Sequence, residues 1–60
     1  MEMMQRILFK NAIGGTAELM RTPNGYRVTM WDCWSMTDRK TFPTWGKATA
    51  FIYGSGYRKM

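Results

Sequence analysis

Few residues of this 60-residue chain have side chains that could catalyse a reaction. The sequence contains one cysteine, Cys33, four acidic residues and no histidine. A cysteine needs a neighbouring base or cation to become a strong nucleophile, and Cys33 has no histidine to serve as one. Glu18 and Asp32 are predicted on opposite faces of a hairpin, so they do not make a carboxylate pair. We therefore expect a protein that is not an enzyme and has no cofactor and no metal site.

Charge and aromatic content direct attention to binding instead. Nine Lys/Arg residues against four Asp/Glu residues give a net charge of +5. Such a charge keeps a small domain in solution, and it also attracts DNA, RNA or an acidic protein surface. The segment TMWDCWSM, residues 29–36, carries two tryptophans. Strand alternation places Trp31 and Trp34 on opposite faces of a sheet. A small domain has one core, which covers one face, so one of the two tryptophans lies on the face without a core.

The chain length predicts one small domain over residues 1–60. A chain of this size buries only about 60% of the surface that it exposes when unfolded, and a lone cysteine cannot form an internal disulfide. Aromatic packing must therefore stabilise much of the fold. The opening MEMMQRILF is too short and too polar for a signal peptide, and no apolar run is long enough to cross a membrane. We expect a cytoplasmic protein without membrane contacts.

The strongest turn signal is Asn24–Gly25, which is typical of a two-residue hairpin turn with positive φ at both positions. This turn predicts that Arg21 lies opposite Val28 and that Leu19 lies opposite Met30. The alternation then assigns a common set of residues to the core face: Ala17, Leu19, Tyr26, Val28, Met30 and Trp34.

Two further turns complete the predicted sheet. A loop of three residues, 14–16, places Ile7, Phe9 and Ile13 on the core face, whereas a loop of two residues would place Ile7 and Phe9 on the other face. A three-residue loop over residues 37–39 places Phe42 beside Trp34. Both assignments use the preference of short hairpins for glycine or polar residues in the turn.

The period then changes from strand to helix. Pro43 and Thr44 are typical of a helix start, with Thr44 as the N-cap. An apolar stripe follows, which comprises Trp45, Ala48, Thr49 and Ile52 and is widened by Phe51. The helix ends at Gly54 or Gly56, and a basic tail over about residues 55–60 is expected to fray. The predicted fold class is α+β, with a three- or four-stranded antiparallel sheet and one C-terminal helix packed on one face.

This arrangement separates the two tryptophans. Trp34 is predicted in the core beneath the helix and Trp31 on the face that the helix leaves open. Asp32 is predicted to point inward, at the sheet rim near the helix N-terminus. Alternatively, a bulge at Trp31–Asp32 turns both tryptophans outward and buries Cys33.

The open face carries the candidate binding residues, which are basic, hydroxyl-bearing or aromatic: Arg27, Thr29, Trp31, Arg39 and Thr41. A sheet ribbon with such residues can enter the major groove of DNA, where arginine contacts guanine edges or phosphates and hydroxyl groups contact phosphates. An ordinary solvent-facing sheet surface with one half-exposed tryptophan is the alternative interpretation.

The segment GYRVTMWDCWSMTDRKTFPTWGKATAFIYG, residues 25–54, resembles the end of the three-stranded-sheet-plus-helix DNA-binding module of tyrosine-integrase arm-site-binding domains and plant ethylene-response-type factors. The shared elements are the YRV strand start, the RKTFPT strand that leads into the helix and an aromatic residue near the helix end. The resemblance implies DNA contacts from the face opposite the helix, by Arg27, Thr29, Trp31 and Arg39. The WGKA helix start and the strand RILFKNAI depart from the family pattern.

The sequence supports several functions. The first is a small basic nucleic-acid-binding accessory or regulatory protein that uses the open sheet face. The second is a small phage or mobile-element protein that binds and modulates a host protein. A third is a homodimer formed through the open face or through the first strand as a free edge. Salt dependence distinguishes them, because phosphate contacts release counterions and apolar protein contacts do not.

Overall fold

A computed structural model describes residues 6–32 and 35–60 of the chain. Five antiparallel strands form one sheet in the spatial order β4-β3-β2-β1-β5, and one helix lies between β4 and β5 in the chain. The element bounds are β1 Arg6–Lys10, β2 Thr16–Thr22, β3 Gly25–Trp31, β4 Met36–Phe42, α1 Trp45–Gly54 and β5 Arg58–Lys59. The predicted α+β class with a C-terminal helix is confirmed.

The sheet has five strands rather than three or four, because the tail contributes one. In β5, Lys59 lies opposite Phe9 and Arg58 lies opposite Lys10 of β1. The backbone N–H of Met60 also donates to the carbonyl oxygen of Leu8 at 3.1 Å. The expectation of a frayed tail is therefore wrong, and the first strand is not a free edge. The edge strands of the sheet are β4 and β5.

The turn between β2 and β3 lies one residue earlier than predicted. Thr22 lies opposite Gly25, so Pro23 and Asn24 form the loop. Asn24 does not have positive φ, whereas Gly25 has a φ of 140°. The change pairs Leu19 with Val28 instead of Met30. The register thus moves by two residues, and because side chains alternate with a period of two, every residue of the hairpin keeps its predicted face.

The turn between β1 and β2 is longer than predicted. Phe9 lies opposite Ala17, which confirms the predicted parity, but the loop runs from Asn11 to Gly15. The side-chain Oδ1 of Asn11 accepts hydrogen bonds from the backbone N–H groups of Ile13, at 3.1 Å, and Gly15, at 2.6 Å. Ile13 is therefore held in the loop and is 86% exposed, so its predicted place in the core is wrong.

The turn between β3 and β4 comes before residues 37–39, which belong to β4. Asp32 closes it, because its backbone N–H donates to the carbonyl of Ser35 and its Oδ1 accepts from the N–H of Ser35 at 2.9 Å. Asp32 is exposed rather than inward-pointing. Phe42 lies opposite Tyr26, and the prediction that Phe42 lies beside Trp34 involves a residue outside those described. The predicted positions of Trp34 and Cys33 fall outside the described residues.

The bulge between β3 and β4 is on β4. Met30 lies opposite Asp38 and Trp31 lies opposite Met36, which leaves Thr37 as the additional residue. The hydroxyl group of Thr37 donates to the carbonyl oxygen of Met30 at 3.3 Å. On the side of β2, Trp31 lies in register with Thr16. The alternative of a bulge at Trp31–Asp32, which turns both tryptophans outward and buries Cys33, involves residues outside those described and stays a prediction.

The helix packs on one face of the sheet, as predicted. Its N-cap is Thr44, whose Oγ1 accepts from the backbone N–H of Lys47 at 3.2 Å. Ala48 and Ile52 are the buried helix residues. Aromatic contacts join the layers, with ring centroids 5.7 Å apart for Tyr26 and Trp45 and 5.2 Å apart for Phe42 and Phe51. The buried core comprises Phe9, Ala17, Leu19, Val28, Met30, Ala48, Ile52 and Tyr57.

Candidate nucleic-acid interface

The sheet surface opposite α1 is referred to below as the open face. Strand alternation from the buried residues of β1 to β3 places every second residue of the sheet on it. The predicted binding residues Arg27, Thr29, Trp31, Arg39 and Thr41 all belong to it. They also lie on two adjacent strands, because Arg27 faces Thr41 and Thr29 faces Arg39 across β3 and β4. The structure therefore brings the five predicted site residues together on one ribbon.

Arg27 is the half-buried cation of this ribbon. It lies between Thr41 of β4 and Met20 of β2. Its Nη2 is 3.3 Å from the Sδ atom of Met20, and its buried Nε has no hydrogen-bond partner among the described residues. A thioether is a weak acceptor, so this guanidinium retains unused donors. A phosphate or a guanine edge would satisfy them better than Met20 does.

Thr29 has a different position from the other four residues. It lies at the centre of the face, opposite Glu18 of β2 and Arg39 of β4, and only 3% of its surface is exposed. Its hydroxyl group therefore lies beneath the contact surface. Alternation predicted the correct face, but it could not show that longer neighbouring side chains cover a threonine on the central strand.

Trp31 forms an apolar corner at the end of the ribbon. It is partly exposed and lies opposite Thr16 of β2 and Met36 of β4. Met36 is 51% exposed. The corner combines an indole ring with a flexible thioether side chain, which can adapt its shape to a ligand. It offers a stacking surface on the same face as Arg27, farther along β3, and Arg39, which lies opposite the intervening Thr29.

One acidic side chain lies among these cations. Glu18 forms an ion pair with Arg6 of β1, with 3.1 Å between Oε2 and Nε, and the side chain of Glu18 is only 13% exposed. Arg39 is exposed, and its side chain is free of such a pairing within the described part of the chain. Four cations and one acid therefore occupy the described open-face positions of β1 to β4, namely Arg6, Lys10, Arg27, Arg39 and Glu18.

The cations of β1 were not among the predicted binding residues. Lys10 lies opposite Thr16, which in turn lies opposite Trp31, so a single row crosses the sheet from the tryptophan to the lysine. Arg6 lies opposite Met20, which in turn lies opposite Arg27, so a second row crosses the sheet from Arg6 to Arg27. Alternation along RILFK could have identified both residues, because Ile7 and Phe9 were already assigned to the core.

No group of three or more potential metal ligands occurs among residues 6–32 and 35–60. In the same part of the chain, the helix is not long and apolar enough to span a membrane.

Comparisons of the chain with protein-family models, with curated proteins and with solved structures gave no match. The resemblance to the sheet-plus-helix DNA-binding module therefore remains a prediction that rests on the segment of residues 25–54.

Proposed function

We propose that this protein binds nucleic acid through the open face, as a small accessory or regulatory protein. The observation that carries the proposal is the charge of that face, on which Arg6, Lys10, Arg27 and Arg39 outnumber Glu18, the one acid at the described open-face positions of β1 to β4. Nucleic acids present a dense row of phosphates, and arginine and lysine contacts to phosphates supply most of the sequence-independent affinity. The helix leaves this face uncovered, so the cations are available to a large ligand.

The dimensions of the ribbon favour duplex DNA as the ligand. The candidate residues lie on β3 and β4, which are adjacent at one edge of the sheet. The major groove is about 12 Å wide and admits a two-stranded ribbon, whereas a five-stranded sheet spans about 19 Å at about 4.8 Å per strand spacing. In the proposed complex, β3 and β4 enter the groove and the remaining strands lie over the flanking backbone.

Each exposed ribbon residue then has a separate role. Arg27 and Arg39 contact guanine edges or phosphates, and the hydroxyl group of Thr41 contacts a phosphate. Trp31 supplies an apolar contact or stacks on a base. Thr29 supports these side chains from beneath and does not contact the ligand.

One observation favours a second candidate function. In it, this protein is encoded by a phage or mobile element, and the same face binds a protein of the host. Trp31 and Met36 are neighbours on the open face, and Met20 and Leu8 also belong to it. Tryptophan and methionine are enriched at protein interfaces, where a buried tryptophan often dominates the binding energy.

Affinity measured as a function of salt distinguishes the two functions. For a duplex of about 20 base pairs, we expect Arg27→Ala and Arg39→Ala each to reduce the slope of log affinity against log salt by about 0.9. We expect Trp31→Ala to reduce affinity by about 5- to 150-fold without changing the slope, because stacking releases no counterion. Lys47→Ala, a charge change on the opposite layer, is the control and should have a smaller effect than either arginine change.

The proposal is wrong if the wild-type protein binds neither duplex nor single strands at low salt. If Trp31→Ala then abolishes binding to a purified protein partner, and that binding is nearly independent of salt, the protein-interface function replaces it.

A further inference from the structure

A cleft at the β1–β5 edge of the sheet adjoins the open face, to which Lys10 belongs. It has a volume of about 370 Å³ and is lined by Lys10, Asn11, Ala12, Gly56 and Arg58. Two of these five residues are cations, and none is acidic. The cleft is shallow and open to solvent, and its positive charge attracts anions.

The two cations lie directly opposite each other. Lys10 and Arg58 are partners in the antiparallel pairing of β1 and β5. Like charges at directly opposed positions destabilise a strand pair, because their Cβ atoms are only about 4.5–5.5 Å apart. Within the part of the chain that the structure describes, no acidic side chain forms an ion pair with either residue. An anion bound in the cleft would be attracted by both side chains.

The walls of the cleft are held in place before any ligand binds. The guanidinium of Arg58 donates from Nη1 to the carbonyl oxygen of Tyr57 at 2.8 Å, and its Cζ lies 5.9 Å from the centre of the Tyr53 ring. The carboxamide of Asn11 is fixed because its oxygen accepts two backbone N–H groups, and its Nδ2 group is a further donor. Gly56, with a φ of 92°, adds no side chain that would fill the space.

We propose that this cleft binds a phosphate group. The proposal rests on the proposed function in one respect, which is that the sugar–phosphate backbone of a bound nucleic acid supplies the phosphate. The two cations suit a phosphate because guanidinium groups bind its oxygens with directed hydrogen bonds and an ammonium group adds a compact charge.

The position of the cleft fits that source. From β3, the strand of Arg27 and Trp31, two strand spacings lead to β1 and three lead to β5. The distances are therefore about 10 Å and about 14 Å at about 4.8 Å per spacing. With β3 and β4 in a groove about 12 Å wide, the cleft lies over the backbone that borders the groove. It would anchor the protein without reading sequence.

The test compares two double variants that each remove two positive charges. Lys10→Gln with Arg58→Gln changes the cleft, and Lys10→Gln alone measures the part of the effect that belongs to the open face. Arg21→Gln with Lys47→Gln is the control, because Arg21 is exposed, lies opposite Tyr26 on the helix side of the sheet, and Lys47 is exposed on the helix. On a duplex of about 20 base pairs, we expect the cleft variant to lower the salt slope by about 1.8, or by about 1.4 on a single strand, whatever the sequence. An equal loss of slope in the control variant would show that general charge is responsible and would overturn the proposal.

A second measurement tests the cleft without nucleic acid. Inorganic phosphate is titrated at constant ionic strength while the backbone amide resonances of Lys10, Asn11 and Arg58 are followed by NMR. Saturable shifts in the wild type that are absent from the cleft variant support a phosphate site. If phosphate gives such shifts and no nucleic acid binds, the proposed function fails and a free phosphate compound is the source. If phosphate gives no saturable shift and the salt slope is also unchanged in the cleft variant, the cleft is not a phosphate site.

Discussion

Gly25 and Phe42 approach each other so closely that a Cβ atom on the glycine would collide with the carbonyl oxygen of Phe42. Gly25 begins β3 and has a φ of 140°, a conformation that residues with a side chain rarely adopt. Phe42 ends β4, and the helix begins only three residues later, at Trp45. The close contact therefore fixes where β4 ends relative to the β2–β3 turn, and it sets the entry of the chain into the helix.

Gly25→Ala should destabilise the protein by at least about 2 kcal/mol. The alanine backbone would be strained at this φ, and its methyl group would clash with the carbonyl oxygen of Phe42. The measurement is the free energy of unfolding from a urea titration. Gly46→Ala is the control, since a Cβ atom at that helical position meets nothing within 4 Å. That change should raise stability by up to about 1 kcal/mol. Equal effects of the two substitutions would contradict the described contact.

Two isoleucines test the described core. Ile52→Ala should cost about 2–5 kcal/mol, because Ile52 is fully buried between the helix and the sheet. Ile13→Ala should change the stability by less than about 0.5 kcal/mol, since Ile13 is 86% exposed in the β1–β2 loop. Both values come from denaturant unfolding. A large loss of stability for Ile13→Ala would support the shorter β1–β2 loop that the sequence predicts, with Ile13 in the core.

Thr44→Ala should destabilise the protein by about 1 kcal/mol, because it removes the acceptor for the backbone N–H of Lys47. Thr44→Ser retains the hydroxyl group and should be close to the wild type. The comparison is made by thermal unfolding under identical conditions. If Thr44→Ser destabilises the protein as much as Thr44→Ala, the stability depends on the methyl group of Thr44 and not on the N-cap hydrogen bond.

Glu18→Gln should increase the affinity for nucleic acid, in contrast to the other open-face substitutions. The change removes the acid of the face and releases Arg6 from its ion pair. The salt slope should become steeper by up to about 0.9 if Arg6 then contacts a phosphate. Glu18→Asp keeps the charge and is the control. A decrease in affinity for Glu18→Gln with unchanged stability would mean that Glu18 itself contacts the ligand.

The sequence predicted faces better than it predicted registers. Alternation placed Leu19 and Val28 together on the core face, and this held although the turn lies at Pro23–Asn24. A shift of two residues preserves the faces, so the pattern of apolar residues cannot distinguish the two registers. The choice depends on Gly25 and its contact with Phe42, which are far apart in the chain and therefore invisible to local turn preferences.

The candidate site shows the same division. The sequence identified the ribbon of Arg27 and Arg39 because alternation alone defines it. It did not predict β5, since two residues at the end of a chain carry no periodic signal, and pairing with β1 decides their conformation. The cleft beside Lys10 consequently lay outside what the sequence could indicate.

The free edge at β4 affects how copies of this protein behave at high concentration. Among the described residues β4 pairs only with β3, so the other edge of this seven-residue strand offers its backbone to the next molecule, which is a common start of aggregation. Here the Oδ1 atom of Asp38 already holds the backbone N–H of Arg39, at 2.8 Å, and Lys40 adds a second charge beside it. A strand that added to this edge would have to displace the carboxylate and bring charged side chains together. The edge is thus protected from sheet-to-sheet growth by the same short segment that contributes Arg39 to the open face.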